Sequence, residues 1–79
     1  MEEEVKKMIS ETFFIELEKV TSDSSLRDDL GIDSLDATSL VLDLENKYNI
    51  SVSNEELVGL VYVKDVVKLL EEKGVKFEG

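Results

Sequence analysis

The side chains of this protein that could do chemistry are a hydroxyl and the carboxylates around it: Ser34, with Asp28, Asp29, Asp33 and Asp36. The sequence contains no cysteine and no histidine. It therefore lacks a thiolate nucleophile, any disulfide, the usual general base and the commonest transition-metal ligand. Carboxylates without such partners form no recognisable catalytic unit, so the chain is not expected to be an enzyme. A calcium loop fails as well. Setting Gly31 at the sixth position of an EF-hand places Leu26 at the first, where an acid is required, and no metal site is expected. Ser34 remains. A serine at the start of a helix is an ordinary cap. The same position, near the unpaired N–H groups and the positive end of the helix dipole, also tolerates an attached phosphate. Position by itself leaves both readings open.

The elements that must hold Ser34 can be read from the apolar spacing. Val5, Met8, Ile9, Phe13 and Leu17 fall on one helical face, and Glu2, Glu3 and Glu4 suit the dipole of a first helix. Phe14 and Ile15 lie off this stripe; the helix is expected to end near them, and they are expected to pack beneath the next segment of the chain. From about Glu18 to Asp33 the periodicity is lost. Thr21-Ser22-Asp23-Ser24-Ser25 favours turns, and Leu26, Leu30 and Ile32 are the expected anchors of a long loop.

A second helix is predicted to open at Asp33 or Ser34, either of which can cap it, and to run to about Tyr48. Ser53 or Asn54 caps a short third helix that Gly59 weakens. Leu60-Val61-Tyr62-Val63 is strand-like, but no second such run exists to pair with it, so it is read as a connection. A fourth helix carries the stripe Val63, Val66, Val67 and Leu70, with Asp65 in its first turn and a stop at Lys73-Gly74. Val75 to Gly79 is expected to be a tail, with Phe77 a candidate to dock back. The expected fold is all-α: a small four-helix bundle, three main helices and a short third, with a long loop between helices one and two.

With 79 residues the chain has room for one domain, residues 1–79. Nineteen acidic against nine basic residues give a net charge of −10, which repels nucleic acid and anionic membranes and steers the protein toward basic surfaces on partner proteins. The same acidity could serve solubility alone. Met1-Glu2-Glu3-Glu4 is the reverse of a signal-peptide start, and no apolar stretch approaches the roughly 20 residues that span a bilayer. A cytoplasmic monomer without stable membrane insertion is expected.

The second helix carries two apolar faces. At 100° per residue, Ala37, Leu40, Val41, Leu44 and Tyr48 occupy an arc of about 100°, the width of a core stripe. Leu35 and Leu42 fall nearly opposite, beside Ser39 and Asn46, with Asp36 and Asp43 along one flank. An apolar pair edged by acids has the make-up of a recognition surface, although single exposed leucines also occur without function.

The segment Leu26-Arg27-Asp28-Asp29-Leu30-Gly31-Ile32-Asp33-Ser34-Leu35-Asp36 resembles the signature of the acyl carrier proteins, in which Asp-Ser-Leu comes after Leu-Gly-x. The resemblance continues through Leu40-Val41-Leu42, Leu44-Glu45 and Val52-Ser53-Asn54-Glu55-Glu56 to Val63, and so covers nearly the whole chain. It implies that a phosphopantetheinyl transferase moves 4′-phosphopantetheine from coenzyme A onto the Ser34 oxygen, with Asp33 and Leu35 completing the attachment motif. The thiol of that arm would carry acyl groups as thioesters, and the missing cysteine is then imported with the arm. The resemblance further implies that Asp36, Leu42 and Glu45, alongside Leu35 and Asp43, meet basic docking patches on transferases and synthases, and that acyl chains shelter within the bundle.

Fatty acid biosynthesis is the expected setting. A specialised polyketide, peptidyl, D-alanyl or lipid carrier, or an acidic helical adaptor with an unmodified serine, is the alternative. Ser39, Asn46 and Lys47 thin the acidic face that the family usually shows, Val52-Ser53-Asn54 replaces a frequent Ile-Pro-Asp, and Phe14 stands where a small residue is common.

Overall fold

The computed structural model describes residues 2–75; Phe77, expected to dock back, lies outside the described residues. Among these are four α-helices, α1 (Glu2–Phe13), α2 (Ser34–Tyr48), α3 (Asn54–Val58) and α4 (Val63–Glu72), with a 3₁₀ turn at Leu17–Lys19. The all-α bundle expected from the apolar spacing is the one observed.

Helix α1 buries Val5, Met8 and Ile9 and packs against α4. It stops before the end of the stripe that suggested it. Phe14 adopts a left-handed φ of 55°. The Ile15 N–H then reaches the Ser10 carbonyl at 3.1 Å, and the Ser10 hydroxyl reaches the Ile15 carbonyl at 2.5 Å. Two expectations are corrected by this turn. Leu17 leaves the helical face for the 3₁₀ turn and is 47% exposed, and Phe14 is thrown outward, 95% exposed, while only Ile15 packs on the core.

The long loop is tied down along its length. Ser24 and Ser25 are both buried and both bonded: the Ser24 hydroxyl meets the Thr21 N–H at 3.1 Å and the Lys19 carbonyl at 3.2 Å. The Ser25 N–H donates to the Asp29 carboxylate at 2.7 Å. Leu26 and Ile32 enter the core at 3% exposure each, and Leu30 packs against it, as expected of the anchors. The strand-like run before α4 does find a partner, which the sequence did not suggest. Leu26 donates its N–H to the Val61 carbonyl at 2.8 Å and Val63 to the Ser24 carbonyl at 3.1 Å, forming a single antiparallel bridge between Ser25 and Tyr62.

Helix α2 turns Leu40, Val41 and Leu44 inward, with Ala37 and Tyr48 half-buried beside them, and ends on Asn49 in the left-handed conformation that asparagine tolerates. Burial, then the nearby Glu4 carboxylate and its hydrogen bond, raise the pKa of the Tyr48 hydroxyl. In α4, Val63, Val66, Leu69 and Leu70 are buried, and Asp65 caps the helix by accepting the N–H groups of Val61 and Tyr62 at 3.1 and 2.8 Å. Gly74, at φ 77°, closes the helix, and the Val75 N–H returns to the Leu70 carbonyl at 3.0 Å.

Two substitutions test this arrangement by urea unfolding. Leu44→Ala empties a fully buried site and should cost about 2–5 kcal/mol. Phe14→Gly removes an exposed side chain from a strained φ and should raise stability by about 0.5–1 kcal/mol, the left-handed penalty less the extra backbone entropy of glycine.

Candidate functional site

The first turn of α2 is assembled from four consecutive residues with separate tasks. Gly31 takes a φ of 69°, and a Cβ built there would meet nothing within 4 Å, so the requirement at this position is conformational, not spatial. The turn lets the Ile32 N–H reach the Leu26 carbonyl at 2.7 Å while the Ile32 side chain enters the core. Asp33 then caps the helix: its Oδ1 accepts the Asp36 N–H at 2.9 Å, and its carbonyl accepts the Ala37 N–H at 2.8 Å. Of the two caps the sequence allowed, the structure uses Asp33. Ser34 is the first helical residue, exposed, with its hydroxyl relieved of the capping bond.

Beside Ser34 opens a cleft of about 540 Å³ between the end of the loop, the start of α2, and α3 with the segment after it. Leu26, Ile32, Ala37, Leu57, Leu60 and Val61 give it an apolar wall, and Arg27, Asp28, Asp33 and Thr38 supply its polar lining. Sequence reasoning did not find this cleft. Leu57 and Leu60 were legible as apolar, but nothing in their spacing says that they line one cleft with Leu26 and Ser34.

Helix α3, which forms one wall, contains no buried residue and is held mainly by polar contacts. Ser53 and Glu56 form a reciprocal capping box at 3.2 and 3.0 Å. The Glu45 carboxylate accepts the Val52 N–H at 3.0 Å, bracing the chain between α2 and α3. Lys73, just past α4, reaches Glu56 at 2.9 Å. The Lys73 hydrogen bond, with the Ser53 N–H second, holds the Glu56 carboxyl below its ordinary pKa.

The second apolar face of α2 is where the sequence placed it. Leu35 is 80% and Leu42 53% exposed, with Ser39 and Asn46 exposed beside them. Asp36 is half-buried in the first turn. Asp43 is exposed and lines a separate, charged cleft of about 510 Å³ between α1 and α2, with Glu4, Lys7, Glu11 and Lys47 among its lining. Glu45 is half-buried, one oxygen engaged by Val52. Among the described residues no cluster of three or more acidic, histidine or cysteine side chains is placed to hold a metal ion, and no helix is long and apolar enough to cross a membrane.

An exposed serine at the head of a capped helix, beside a partly apolar cleft, suits a prosthetic group joined through a phosphate, and residues 3–70 match the phosphopantetheine attachment site family. The fold and this match define a phosphopantetheine-binding carrier. The chain belongs to the acyl carrier protein family. Acyl carrier proteins from Buchnera aphidicola subsp. Acyrthosiphon pisum, strains Tuc7 and APS, are each 38% identical over 76 residues, covering 96% of this chain and 95% of theirs. The solved structure of a proposed acyl carrier protein from Mycobacterium tuberculosis superposes with a TM-score of 0.83 at 28% identity, covering 90% of this chain and 95% of that one.

The depressed Glu56 pKa carries a sign. Its contribution to stability is complete above the ordinary glutamate value of 4.5 and is lost as the pH falls through the lower folded-state value. Lys73→Ala should therefore lower the urea midpoint at pH 7, and the difference from the parent chain should vanish in acid. A difference that persists undiminished at pH 2.5, a value at roughly the low end of carboxylate titration, would assign the loss to packing of the lysine stem instead.

Proposed function

We propose that the Ser34 Oγ is the attachment point of the 4′-phosphopantetheine arm and that the protein shuttles acyl thioesters in fatty acid biosynthesis. The observation that carries this reading is the assignment of the cap to Asp33. A serine that capped α2 would have its oxygen directed at a backbone N–H, whereas here Asp33 makes that bond and Ser34 is an exposed residue of the first turn. The unpaired N–H groups of that turn and the dipole of the 15-residue helix favour a phosphate there. In the loading step the Ser34 oxygen bonds to the phosphorus that bears pantetheine, the pyrophosphate bond of coenzyme A breaks, and adenosine 3′,5′-bisphosphate leaves. The serine proton passes to a base of the transferase.

The arm supplies the thiol that this chain does not encode. A thiolate is both a good nucleophile and a good leaving group, which suits an acyl group that must be passed on repeatedly. The bond-making machinery belongs to the partners, and the protein is a carrier, not an enzyme. Asp33 acts by setting the helix start. Leu35 and Leu42, with Asp36, Asp43 and the remaining carboxylate oxygen of Glu45, form the docking face for the transferase, acyl transferases and synthases with basic, apolar-lined patches. The cleft beside Ser34, walled by Leu26, Ile32, Leu57 and Leu60, is the route by which an acyl chain reaches shelter in the bundle. A cytoplasmic setting belongs to the same proposal.

Intact mass spectrometry tests the attachment. Incubation of the apo protein with a phosphopantetheinyl transferase, Mg²⁺ and coenzyme A should add the mass of the arm, and Ser34→Ala should abolish the gain. A gain that survives Ser34→Ala sinks the assignment, and no gain at all favours an unmodified adaptor. For the docking face, Leu42→Asp should slow modification by the transferase roughly tenfold, the scale of a lost interface contact of about 1.4 kcal/mol, while leaving helicity by circular dichroism unchanged.

A further inference from the structure

Arg27 is the only arginine of the chain. It is exposed, and it is the one cationic side chain among the residues that line the cleft beside Ser34. Its backbone is held on both sides. Leu26 is buried and donates to the Val61 carbonyl at 2.8 Å, and the Asp28 N–H donates to the Ser25 hydroxyl at 3.1 Å. The nearby Asp29 carboxylate is engaged by the Ser25 N–H at 2.7 Å. Lys6, Lys19, Lys64 and Lys73 each form an ion pair, whereas among the described residues Arg27, like Lys7, Lys47 and Lys68, forms none, and of these four only Arg27 lines this cleft. A fixed backbone thus sets an arginine with no ion pair among the residues that line the cleft Ser34 borders.

We propose that Arg27 is the positioning residue for the arm: its guanidinium receives the phosphodiester that joins the arm to Ser34. The inference rests on Ser34 being the attachment point. A phosphodiester keeps one negative charge at neutral pH, and here it is set on a chain of net charge −10 beside the Asp33 and Asp36 carboxylates. The helix dipole offsets only part of that repulsion. A guanidinium supplies the rest and offers two parallel N–H donors in a planar fork that matches a pair of phosphate oxygens, a geometry that a lysine ammonium lacks. With its phosphate held at Arg27, the arm leaves Ser34 across the mouth of the cleft toward Leu57, Val58 and Val61, instead of extending freely into solvent.

The test is NMR of the apo and holo forms of the full chain, with intact mass confirming that the arm is present on the parent and on each variant. The Arg27 Nε–H resonance should move on conversion from apo to holo, and the shift should collapse at about 1 M salt, where the Debye length falls to about 3 Å. The ³¹P resonance of the holo protein should move in Arg27→Gln and be partly restored in Arg27→Lys, which keeps the charge and loses the fork. Unchanged Nε–H and ³¹P resonances overturn the proposal. A shift of Arg27 that appears only after the thiol is acylated also overturns it, by assigning the residue to the cargo. If the mass shows no arm on the parent chain, it is the attachment reading that has failed, and this one falls with it.

Discussion

Two backbone hydrogen bonds, from Leu26 to Val61 and from Val63 to Ser24, join the middle of the long loop to the start of α4, and the placement of Ser34 depends on them. A loop of this length carries many polar backbone groups, and burying any of them without a partner is unfavourable. The pairing lets Ser24 and Ser25 go beneath the surface with their hydrogen bonds made, which in turn draws Leu26 and then Ile32 into the core. Once Ile32 is anchored, Gly31 must turn, Asp33 is brought to the helix start, and Ser34 emerges on the outside. The wall of the cleft has the same origin, because Val61, whose carbonyl accepts the Leu26 N–H, lines the same cleft as Ser34.

Adjacent residues in this short stretch divide the work of folding and function. Ile32 is spent on the core, Asp33 on the cap, and Ser34 on neither, which leaves an exposed side chain at the head of the helix. The same division runs along α2, where Leu40, Val41 and Leu44 are buried and Leu35 and Leu42 are exposed. Helix α3 differs, because it contains no fully buried residue and carries the Ser53–Glu56 box, the Lys73 ion pair and, just before it, the Glu45 brace. A wall held in this way can shift at a smaller energetic cost than one set in the core.

Much of this was legible from residue types. The stripes of α1, α2 and α4 report their buried faces because a helix must hide its apolar side, and the exposed position of Leu35 and Leu42 comes from the same periodicity. Phe14 marks the failure of that rule. The stripe ran on to Leu17, but the left-handed turn at Phe14 ended the helix, since periodicity records which residues are apolar and not where the backbone leaves the helix. Glu45 shows a similar gap: an acidic residue read from the sequence as a docking residue is a brace for the backbone of Val52, a partner distant enough in sequence that spacing does not suggest it.

By itself the sequence determined the helices, the absence of any thiol or imidazole chemistry, and the signature around Ser34, all of which are properties of local residue order. Only the tertiary structure decided which of Asp33 and Ser34 caps α2, that the strand-like run after Gly59 pairs with the loop, and that Arg27, Leu57 and Val61 share one cleft with Ser34. The reason is physical. Local order sets propensities and faces, whereas a cleft is made by segments far apart in the chain, and their meeting is settled by which arrangement buries the apolar side chains while leaving every buried polar group bonded.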